Sequence, residues 1–374
     1  MKIGLIFGTR PEAIKMAPVY HELKENFEVK VIVTGQHKEM LYQILNIFDI
    51  KPDYELDLMK KGQELSELTS RMIISLDQIF KNEKFDYVLV QGDTTSAFTG
   101  ALVAFYNKVP VAHIEAGLRT GNIYSPFPEE ANRKLIGIIT TLHFAPTKTN
   151  IDNLLKENYK KNNIIETGNT VIDALKWVKK NKQEELDFIK EKYNIKDKKY
   201  ILLTMHRREN WGRPMEEALT AIRDYIDKKD NFSLVFPMHL NPIVREIAKK
   251  VFYNNKNVLL LEPLEYIEFI SLLEGAHIVM TDSGGIQEEA PTFGKPTLVL
   301  RDTTERPEAI EAGTAILVGT NYDNIIHNLE KLEGDLYIKM SEAKNPYGNG
   351  TAALKIRKAL EKVLNNIKRL PKIL

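Results

Sequence analysis

Short apolar segments alternate with helix-like segments along almost the whole chain. Each apolar segment spans only a few residues and is rich in Val, Ile and Leu, as is typical of strands that helices cover on both faces. Repeated strand–helix units predict parallel sheets flanked by helices, and so an α/β fold. The predicted strands are Ile3–Phe7, Val29–Val33, Tyr87–Val90, Val111–Ile114, Leu142–Ala145, Ile164–Glu166, Tyr200–Thr204, Ser233–Phe236, Val258–Leu261, His277–Met280, Thr297–Leu300 and Ala315–Val318.

The alternation runs twice. The first run ends near Gly168, a long helical segment over Thr170–Tyr193 carries no strand signal, and the pattern then restarts at Tyr200. A chain of 374 residues also exceeds one ordinary domain of about 100–200 residues. We therefore predict two Rossmann-like, doubly wound parallel-sheet domains around a cleft, over residues 1–168 and 169–354. Ligands of such sheets bind at the carboxyl ends of the strands.

Composition excludes several classes of function. A net charge of +1 gives no electrostatic case for a nucleic-acid partner, and no apolar run is long enough to cross a membrane. The absence of Cys excludes disulfides, cysteine nucleophiles and thiolate metal sites. The first residues lack a signal-peptide pattern. We expect a cytoplasmic protein with no metal site and no nucleic-acid or membrane partner.

The stretch MTDSGGIQEEA, residues 280–290, joins a strand to a helix through Ser283, Gly284 and Gly285. Glycines let a ligand approach the backbone closely, and the first N–H groups of a helix attract anions, phosphate above all. The alternative is a simple turn in which Ser283 caps the helix. Glu288 and Glu289 would repel a diphosphate, so they are better suited to accept hydrogen bonds from ribose hydroxyls.

Basic residues stand where helices begin, although a cation there opposes the helix dipole unless an anion is present. Arg10 and Lys15 do so in FGTRPEAIKMAP, and Arg306 does so in RDTTERPEA. Arg207 follows a strand of the second half. These groups could neutralise a diphosphate. The first strand is followed by one glycine where a dinucleotide fold has GxGxxG, so bound NAD is disfavoured and we expect no cofactor.

Carboxylates follow neighbouring strands in the first half. Asp93, Glu115 and Glu129 should meet at one edge of a parallel sheet, and three clustered carboxylates would raise the pKa of at least one of them. Such groups serve as acid/base catalysts at neutral pH. Two alternatives stay open: Asp93 as a helix cap, and Glu129 with Glu130 as acids that favour a helix start. In the second half, His206 precedes two Arg residues, a pattern that favours a site for an anion.

Seven motifs occur in one order between Phe7 and Ala309: FGTRPEAIKMAP, GDTTSA, HIEAGLRTG, YSPFPEEANR, HRREN, DSGGIQEEA and RDTTERPEA. They closely resemble the non-hydrolysing UDP-N-acetylglucosamine 2-epimerases, whose fold is similar to that of GT-B glycosyltransferases. The resemblance implies a dimeric isomerase that interconverts UDP-GlcNAc and UDP-ManNAc without NAD, by eliminating UDP to give 2-acetamidoglucal and adding it back. It also implies that the last helix, about residues 355–374, returns to the first domain.

The resemblance carries over to individual positions. Catalytic or substrate-contacting positions match Asp93, Glu115, Glu129 and His206; the nucleotide site matches Arg10, Lys15, Arg207, Ser283, Gly284, Gly285, Glu289 and Arg306. In bacterial members a second UDP-GlcNAc activates the enzyme, and its contacts resemble Gln36, Glu130, Arg207 and His239. Two positions depart from the pattern: Gln91, where many bacterial members are expected to have His, and Met205.

Three other functions fit parts of this pattern. A GT-B glycosyltransferase that uses a UDP-sugar donor would share the fold and the nucleotide site, but the sequence shows no acceptor site. A hydrolysing 2-epimerase would release free ManNAc and UDP. A two-domain sugar-binding protein would also have a cleft, but such proteins are usually exported.

Overall fold

The computed structural model describes residues 1–35, 38–59, 62–196, 198–230 and 232–369. Gln36, one of the expected activator contacts, lies outside these residues. The chain forms two compact units: unit 1 consists of Met1–Ala174 with Tyr347–Leu374, and unit 2 of Leu175–Pro346.

Unit 1 contains a seven-stranded sheet in the order β3-β2-β1-β4-β5-β6-β7, and all of its neighbouring strands are parallel. Its strands are β1 (Lys2–Phe7), β2 (Glu28–Val33), β3 (Tyr54–Glu55), β4 (Tyr87–Gln91), β5 (Val111–Ile114), β6 (Leu142–Ala145) and β7 (Ile164–Glu166). Its helices include α1 (Arg10–Leu23), α2 (Lys38–Ile47), α3 (Leu65–Asn82), α4 (Thr95–Tyr106), α5 (Glu129–Ile139) and α6 (Lys148–Lys156). The boundary between the units falls within α7 (Thr170–Asn181).

Unit 2 contains a six-stranded parallel sheet in the order β10-β9-β8-β11-β12-β13. Its strands are β8 (Lys199–Thr204), β9 (Phe232–Pro237), β10 (Val258–Leu261), β11 (Ile278–Thr281), β12 (Thr297–Val299) and β13 (Ala315–Leu317). Its helices are α8 (Gln183–Lys192), α9 (Arg213–Ile226), α10 (Pro242–Val251), α11 (Tyr266–Gly275), α12 (Gly284–Glu289), α13 (Pro307–Glu311), α14 (Tyr322–Lys331) and α15 (Asp335–Glu342).

Every predicted strand is present among the described residues, with ends that differ by a residue or so, and the α/β class with two parallel sheets is confirmed. Two expectations were incomplete. Strand β3, which lies at the edge of its sheet, was missed because two residues carry no periodicity. The helical segment Thr170–Tyr193 is interrupted at Lys182, where α7 ends and α8 begins.

The middle of the unit 1 sheet is buried on both faces. Every residue of β4 and β5 is buried, including the polar side chains of Gln91 and His113. Because buried polar groups are costly unless they are hydrogen-bonded, these two side chains need partners. The partners lie at the carboxyl ends of the strands, as described below.

The last helix, α16 (Ala352–Arg369), belongs to unit 1. The Asp173 carboxylate accepts hydrogen bonds from the backbone N–H groups of Ala352 (3.2 Å) and Ala353 (2.9 Å) at its start. Farther along, Arg357 donates to Glu22 on α1 at 2.8 Å. In the described part of the chain, no helix is both long and apolar enough to span a membrane.

Candidate active site

The loops after β1 and β4 are tied together by Glu12, which the sequence analysis missed. Its carboxylate accepts hydrogen bonds from the N–H groups of Gly8 (3.0 Å) and Thr9 (2.8 Å), and from the Thr94 hydroxyl (2.6 Å). Burial raises the pKa of Glu12. Thr9 and Glu12 form a capping box, and the spacing Thr-x-x-Glu is the signal that could have identified this acid.

Asp93 follows β4 but does not cap α4. Thr94 is the cap, because its hydroxyl accepts a hydrogen bond from the Ala97 N–H at 3.1 Å. The Asp93 carboxylate instead lies 2.5 Å from the guanidinium of Arg133, and Asn132 donates to its carbonyl at 2.9 Å. Burial raises the pKa of Asp93; Arg133 opposes this effect and the charge of Glu115 adds to it. The pKa of one of the predicted acids is thus raised, but burial is the main cause and Glu115 is the one neighbouring carboxylate that adds to it.

Glu115 follows β5 in a strained backbone conformation. Its φ of 65° lies in the left-handed region, which a residue with a side chain occupies only when its surroundings enforce it. Oε2 of its carboxylate accepts hydrogen bonds from the Lys15 ammonium and, at 2.7 Å, from the Gln91 amide. Lys15 therefore lies beside an acid of unit 1. Gln91, noted above as a departure from the family pattern, is a direct neighbour of a predicted catalytic acid.

The adjacent acids Glu129 and Glu130 differ in their surroundings. Glu130 is fully buried and accepts hydrogen bonds from Arg133 (2.9 Å) and from the Gly121 N–H (3.2 Å). Glu129 has a buried oxygen, Oε2, that accepts no hydrogen bond from any described residue. A buried carboxylate oxygen without a donor is costly, so a ligand hydroxyl or a water would stabilise it. Arg10, which is half-buried, forms no hydrogen bond or ion pair with the described residues either.

In unit 2 the loop after β8 is held by Asp282, which is completely buried. One of its oxygens accepts hydrogen bonds from the N–H groups of His206 (2.9 Å) and Arg207 (2.8 Å), and from the Asn210 amide (3.1 Å). The other lies 3.2 Å from Nδ1 of His206. Burial lowers the pKa of His206, Asp282 opposes that effect, and His239 adds to it. The His206 and His239 rings are stacked, with centroids 5.8 Å apart.

The turn Ser283–Gly285 begins α12. Ser283 occupies the cap position, but its side chain forms no capping hydrogen bond with the described residues. A Cβ atom added to Gly284 or Gly285 would meet no atom outside the helix closer than 3.8 and 3.9 Å, respectively. Neither residue has the positive φ that favours glycine. Packing therefore does not demand glycine at either position, whereas the close approach of a ligand would.

Arg306 precedes α13 and forms an ion pair with the buried carboxylate of Glu288. Its backbone N–H donates to the Thr304 hydroxyl at 3.0 Å, and that hydroxyl donates to Gln287 at 2.7 Å. Of the two acids in this motif, Glu288 is thus engaged by Arg306, and Glu289 is half-buried beside it. Met205, the second departure from the family pattern, is buried in the core of unit 2.

Comparison with known proteins identifies close relatives. The family described as UDP-N-acetylglucosamine 2-epimerase matches residues 21–361. The UDP-N-acetylglucosamine 2-epimerase of Bacillus subtilis (strain 168) is 52% identical over 362 residues, which cover 95% of this chain and 94% of that protein. The enzyme of the same name from Escherichia coli (strain K12) is 50% identical over 370 residues, which cover 96% and 98%.

Solved structures agree with these sequence matches. The crystal structure of UDP-GlcNAc 2-epimerase from Neisseria meningitidis, bound to UDP-GlcNAc, is similar with a TM-score of 0.85 and 48% identity. The match covers 97% of this chain and 100% of that one.

Proposed function

This chain belongs to the UDP-N-acetylglucosamine 2-epimerase family, and from that premise we propose that it interconverts UDP-GlcNAc and UDP-ManNAc as a non-hydrolysing isomerase. The observation that carries this proposal is that each unit, taken by itself, holds predicted site residues at the carboxyl ends of its parallel strands. Unit 1 contributes acids at the ends of β4 and β5 and at the start of α5. Unit 2 contributes a glycine turn and cations suited to a nucleoside diphosphate.

The reaction requires an indirect route. The hydrogen on carbon 2 of the sugar is not acidic, because no carbonyl group is attached to that carbon. If the bond from carbon 1 to the UDP oxygen breaks while a base removes the proton from carbon 2, the products are 2-acetamidoglucal and UDP. Addition of UDP back to carbon 1, with a proton delivered to the opposite face of carbon 2, gives the epimer. The protein must therefore stabilise the departing diphosphate and supply acid/base groups.

The residues of unit 2 would bind the diphosphate. The N–H groups of the Ser283–Gly285 turn and the guanidinium of Arg306 would stabilise the negative charge that develops on UDP. Glu289 would accept hydrogen bonds from the ribose hydroxyls. His206 and Arg207 lie on the loop after β8 that Asp282 holds, and they would complete the contacts to the leaving group.

The acidic residues of unit 1 would carry out the proton transfer. Burial raises the pKa of Asp93, which suits this acid to exchange a proton with the substrate. Glu115 accepts hydrogen bonds from the Lys15 ammonium and the Gln91 amide, which favour its ionised form and suit it to act as a base. The Glu129 oxygen that has no partner among the described residues would bind a substrate hydroxyl or take part in the proton transfer. Arg10 would contact the phosphates.

A second nucleotide-sugar site and a second copy of the chain complete the proposal. Arg207 and His239, together with Gln36, would bind an activating UDP-GlcNAc; Glu130 is fully buried and would act through its partner Arg133. The adjacent helices α3, α4 and α5 expose large apolar side chains, which supports a homodimer. These side chains are Leu65, Ile74, Phe105, Tyr106, Leu135 and Ile138.

Product identification tests the function. The protein is incubated with UDP-GlcNAc in the absence of NAD and of any acceptor, and the products are identified by NMR. UDP-ManNAc at an equilibrium ratio is the expected result. Stoichiometric free ManNAc and UDP would show a hydrolysing enzyme. If UDP-GlcNAc stays unchanged in this incubation and is consumed only after a sugar acceptor is added, the protein is a glycosyltransferase.

A further inference from the structure

Two buried polar side chains link the ends of β4 and β5 in opposite directions. Gln91, the last residue of β4, donates its amide N–H to Glu115, which follows β5; the distance is 2.7 Å. His113, on β5, has Nε2 located 2.7 Å from the carbonyl oxygen of Gly92, which follows β4. A carbonyl oxygen can only accept, so the imidazole is the donor. Each strand thus holds the segment that follows the other strand.

Burial makes these two contacts strong determinants of local geometry. The exposed fraction is 3% for Gln91 and 1% for His113, and apart from the Tyr87 hydroxyl at the start of β4 the other side chains of both strands are apolar. Leaving a buried amide or imidazole without a partner destabilises the protein. The two side chains therefore favour the one arrangement of the strand ends in which both hydrogen bonds form.

The segments held in this way carry two of the proposed catalytic acids. Gly92, which directly precedes Asp93, has a φ of 72° that glycine adopts without strain, whereas Glu115 has a φ of 65° that strains a residue with a side chain. A strained backbone persists only when neighbouring contacts enforce it. The two carboxylates are close enough for the charge of Glu115 to raise the pKa of Asp93. A small shift of either segment would therefore change the distance between the two acids.

We propose that Gln91 and His113 are positioning residues, forming a reciprocal clamp that fixes Asp93 and Glu115 relative to one another for proton transfer. The inference rests on the proposed function, because it assumes that these two acids act on the substrate. Because both side chains are buried, we expect the clamp itself not to touch the substrate. Loss of the clamp should lower the rate of the chemical step. Nucleotide binding should stay unchanged, because we assign it to residues of unit 2.

The test compares variants that remove or keep each donor. Gln91→Met and His113→Met remove a donor at similar side-chain length, whereas His113→Gln retains an N–H that can reach the Gly92 carbonyl. We expect kcat to fall about 10- to 100-fold in both Met variants, as is typical when reacting groups are misplaced. KM for UDP-GlcNAc and Kd for UDP should change less than about 2-fold. His113→Gln should recover most of the rate.

A matched control comes from the opposite end of the same strand. The hydroxyl of Tyr87, at the start of β4, forms a partly buried hydrogen bond of 2.5 Å with the Thr141 hydroxyl. Tyr87→Phe removes an inter-segment hydrogen bond from the same sheet but far from the acids, so it should leave kcat near the wild-type value. If Tyr87→Phe lowers kcat as much as the Met variants do, general loosening of the sheet explains the effect and the clamp is rejected.

The pH dependence separates positioning from packing. Gln91→Glu is nearly isosteric, but it places a second carboxyl group against Glu115. When protonated it can donate as the amide does; when ionised it repels Glu115. The ratio of variant to wild-type kcat should therefore rise as the pH falls. A ratio that is independent of pH would overturn the assignment of Gln91.

An NMR experiment tests the clamp hypothesis separately from the proposed function. Wild-type protein labelled with ¹⁵N in histidine should show a slowly exchanging Nε2–H signal that disappears in His113→Met. If the wild type makes no UDP-ManNAc, the proposed function fails, and the clamp is then judged on this signal alone. Absence of the signal, or wild-type kcat in both Met variants of an active protein, overturns the clamp.

Discussion

Nδ1 of His206 lies 3.2 Å from Oδ1 of Asp282, while the other oxygen of that carboxylate holds the backbone N–H groups of His206 and Arg207. The buried acid therefore holds the loop that carries the histidine, and it places next to Nδ1 of the ring a carboxylate oxygen that forms no hydrogen bond with a described residue. Asp282→Asn should keep the backbone contacts through the amide oxygen and present NH₂ to Nδ1, which forces the other tautomer of the ring. We expect kcat to fall about 100-fold or more, by analogy with acid–histidine pairs in other enzymes.

Histidine NMR provides the control for that prediction. Asp282 raises the pKa of His206 against the effect of burial, whereas His239 lowers it. The pKa of His206 should therefore fall in Asp282→Asn and rise in His239→Phe, which keeps a stacked ring. Shifts of the same sign in both variants would contradict this account of the His206 environment.

Substitutions of the neighbouring residues Glu129 and Glu130 should have different effects, the first on catalysis and the second on stability. Glu130 is a buried partner of Arg133, which also pairs with Asp93, so Glu130→Gln should lower the free energy of unfolding by about 1–3 kcal/mol, as is typical when a buried hydrogen bond to a charged group is weakened. Glu129 has an oxygen without a partner among the described residues, so Glu129→Gln should fold at least as well as the wild type and lose most of its turnover. Urea unfolding and the epimerase assay on both proteins check this contrast. Equal stability losses in the two variants would contradict it.

The glycines of the Ser283–Gly285 turn should affect the affinity for the ligand and not the stability of the fold. Gly284→Ala and Gly285→Ala introduce a methyl group that meets nothing closer than 3.8 Å outside the helix, so the Tm of the free protein should hardly change. Calorimetric titration with UDP should nevertheless show a Kd at least about 10-fold higher, because the backbone donors are shielded. Gly334→Ala, with its nearest atom at 3.9 Å and away from the turn, is the matched control. A drop in Tm for the turn variants, with UDP affinity unchanged, would assign these glycines to folding.

His143 should make unit 1 sensitive to acid. It is buried beside the Tyr159 ring, and its Nδ1 accepts no hydrogen bond from a described residue; burial lowers its pKa to about 4. Since the unfolded chain binds this proton below about pH 6.5 and the folded protein does not, stability is retained above that pH and lost as the pH falls towards 4. When the pH falls from 7 to 5, the free energy of unfolding measured in urea should decrease by about 1–2 kcal/mol less in His143→Phe than in the wild type. The exposed His327, replaced by Gln, is the control, and identical pH dependence in all three proteins would refute the prediction.

Much of the fold could be predicted from the sequence because buried parallel strands are short apolar runs, and those runs are distinct here. The edge strand Tyr54–Glu55 and the break at Lys182 could not, since the first is too short and the second interrupts a continuous helical pattern. Among the site residues, the motifs identified Asp93, Glu115 and Glu129 as candidates. They did not show that one Glu129 oxygen lacks a hydrogen-bond partner in the described part of the chain, nor that Glu130 pairs with Arg133 in the interior.

The residues that hold the site were harder to find. Glu12, Arg133 and Asp282 act through side-chain contacts between segments that are distant in sequence, and no local pattern records such contacts. Only the capping-box spacing around Glu12 gave a usable signal. The pairing of Gln91 with Glu115 likewise depends on which strands are neighbours in the sheet.

The central claim, that the carbon 2 proton is removed and replaced while UDP is detached, is tested most directly in heavy water. UDP-GlcNAc is incubated with the wild-type protein in D₂O, and the carbon 2 position of both nucleotide sugars is followed by ¹H NMR. The account predicts UDP-ManNAc with deuterium at carbon 2, and slow or no label incorporation with Asp93→Asn or Glu115→Gln although both variants still bind UDP. UDP-ManNAc that keeps the original hydrogen at carbon 2 would contradict it.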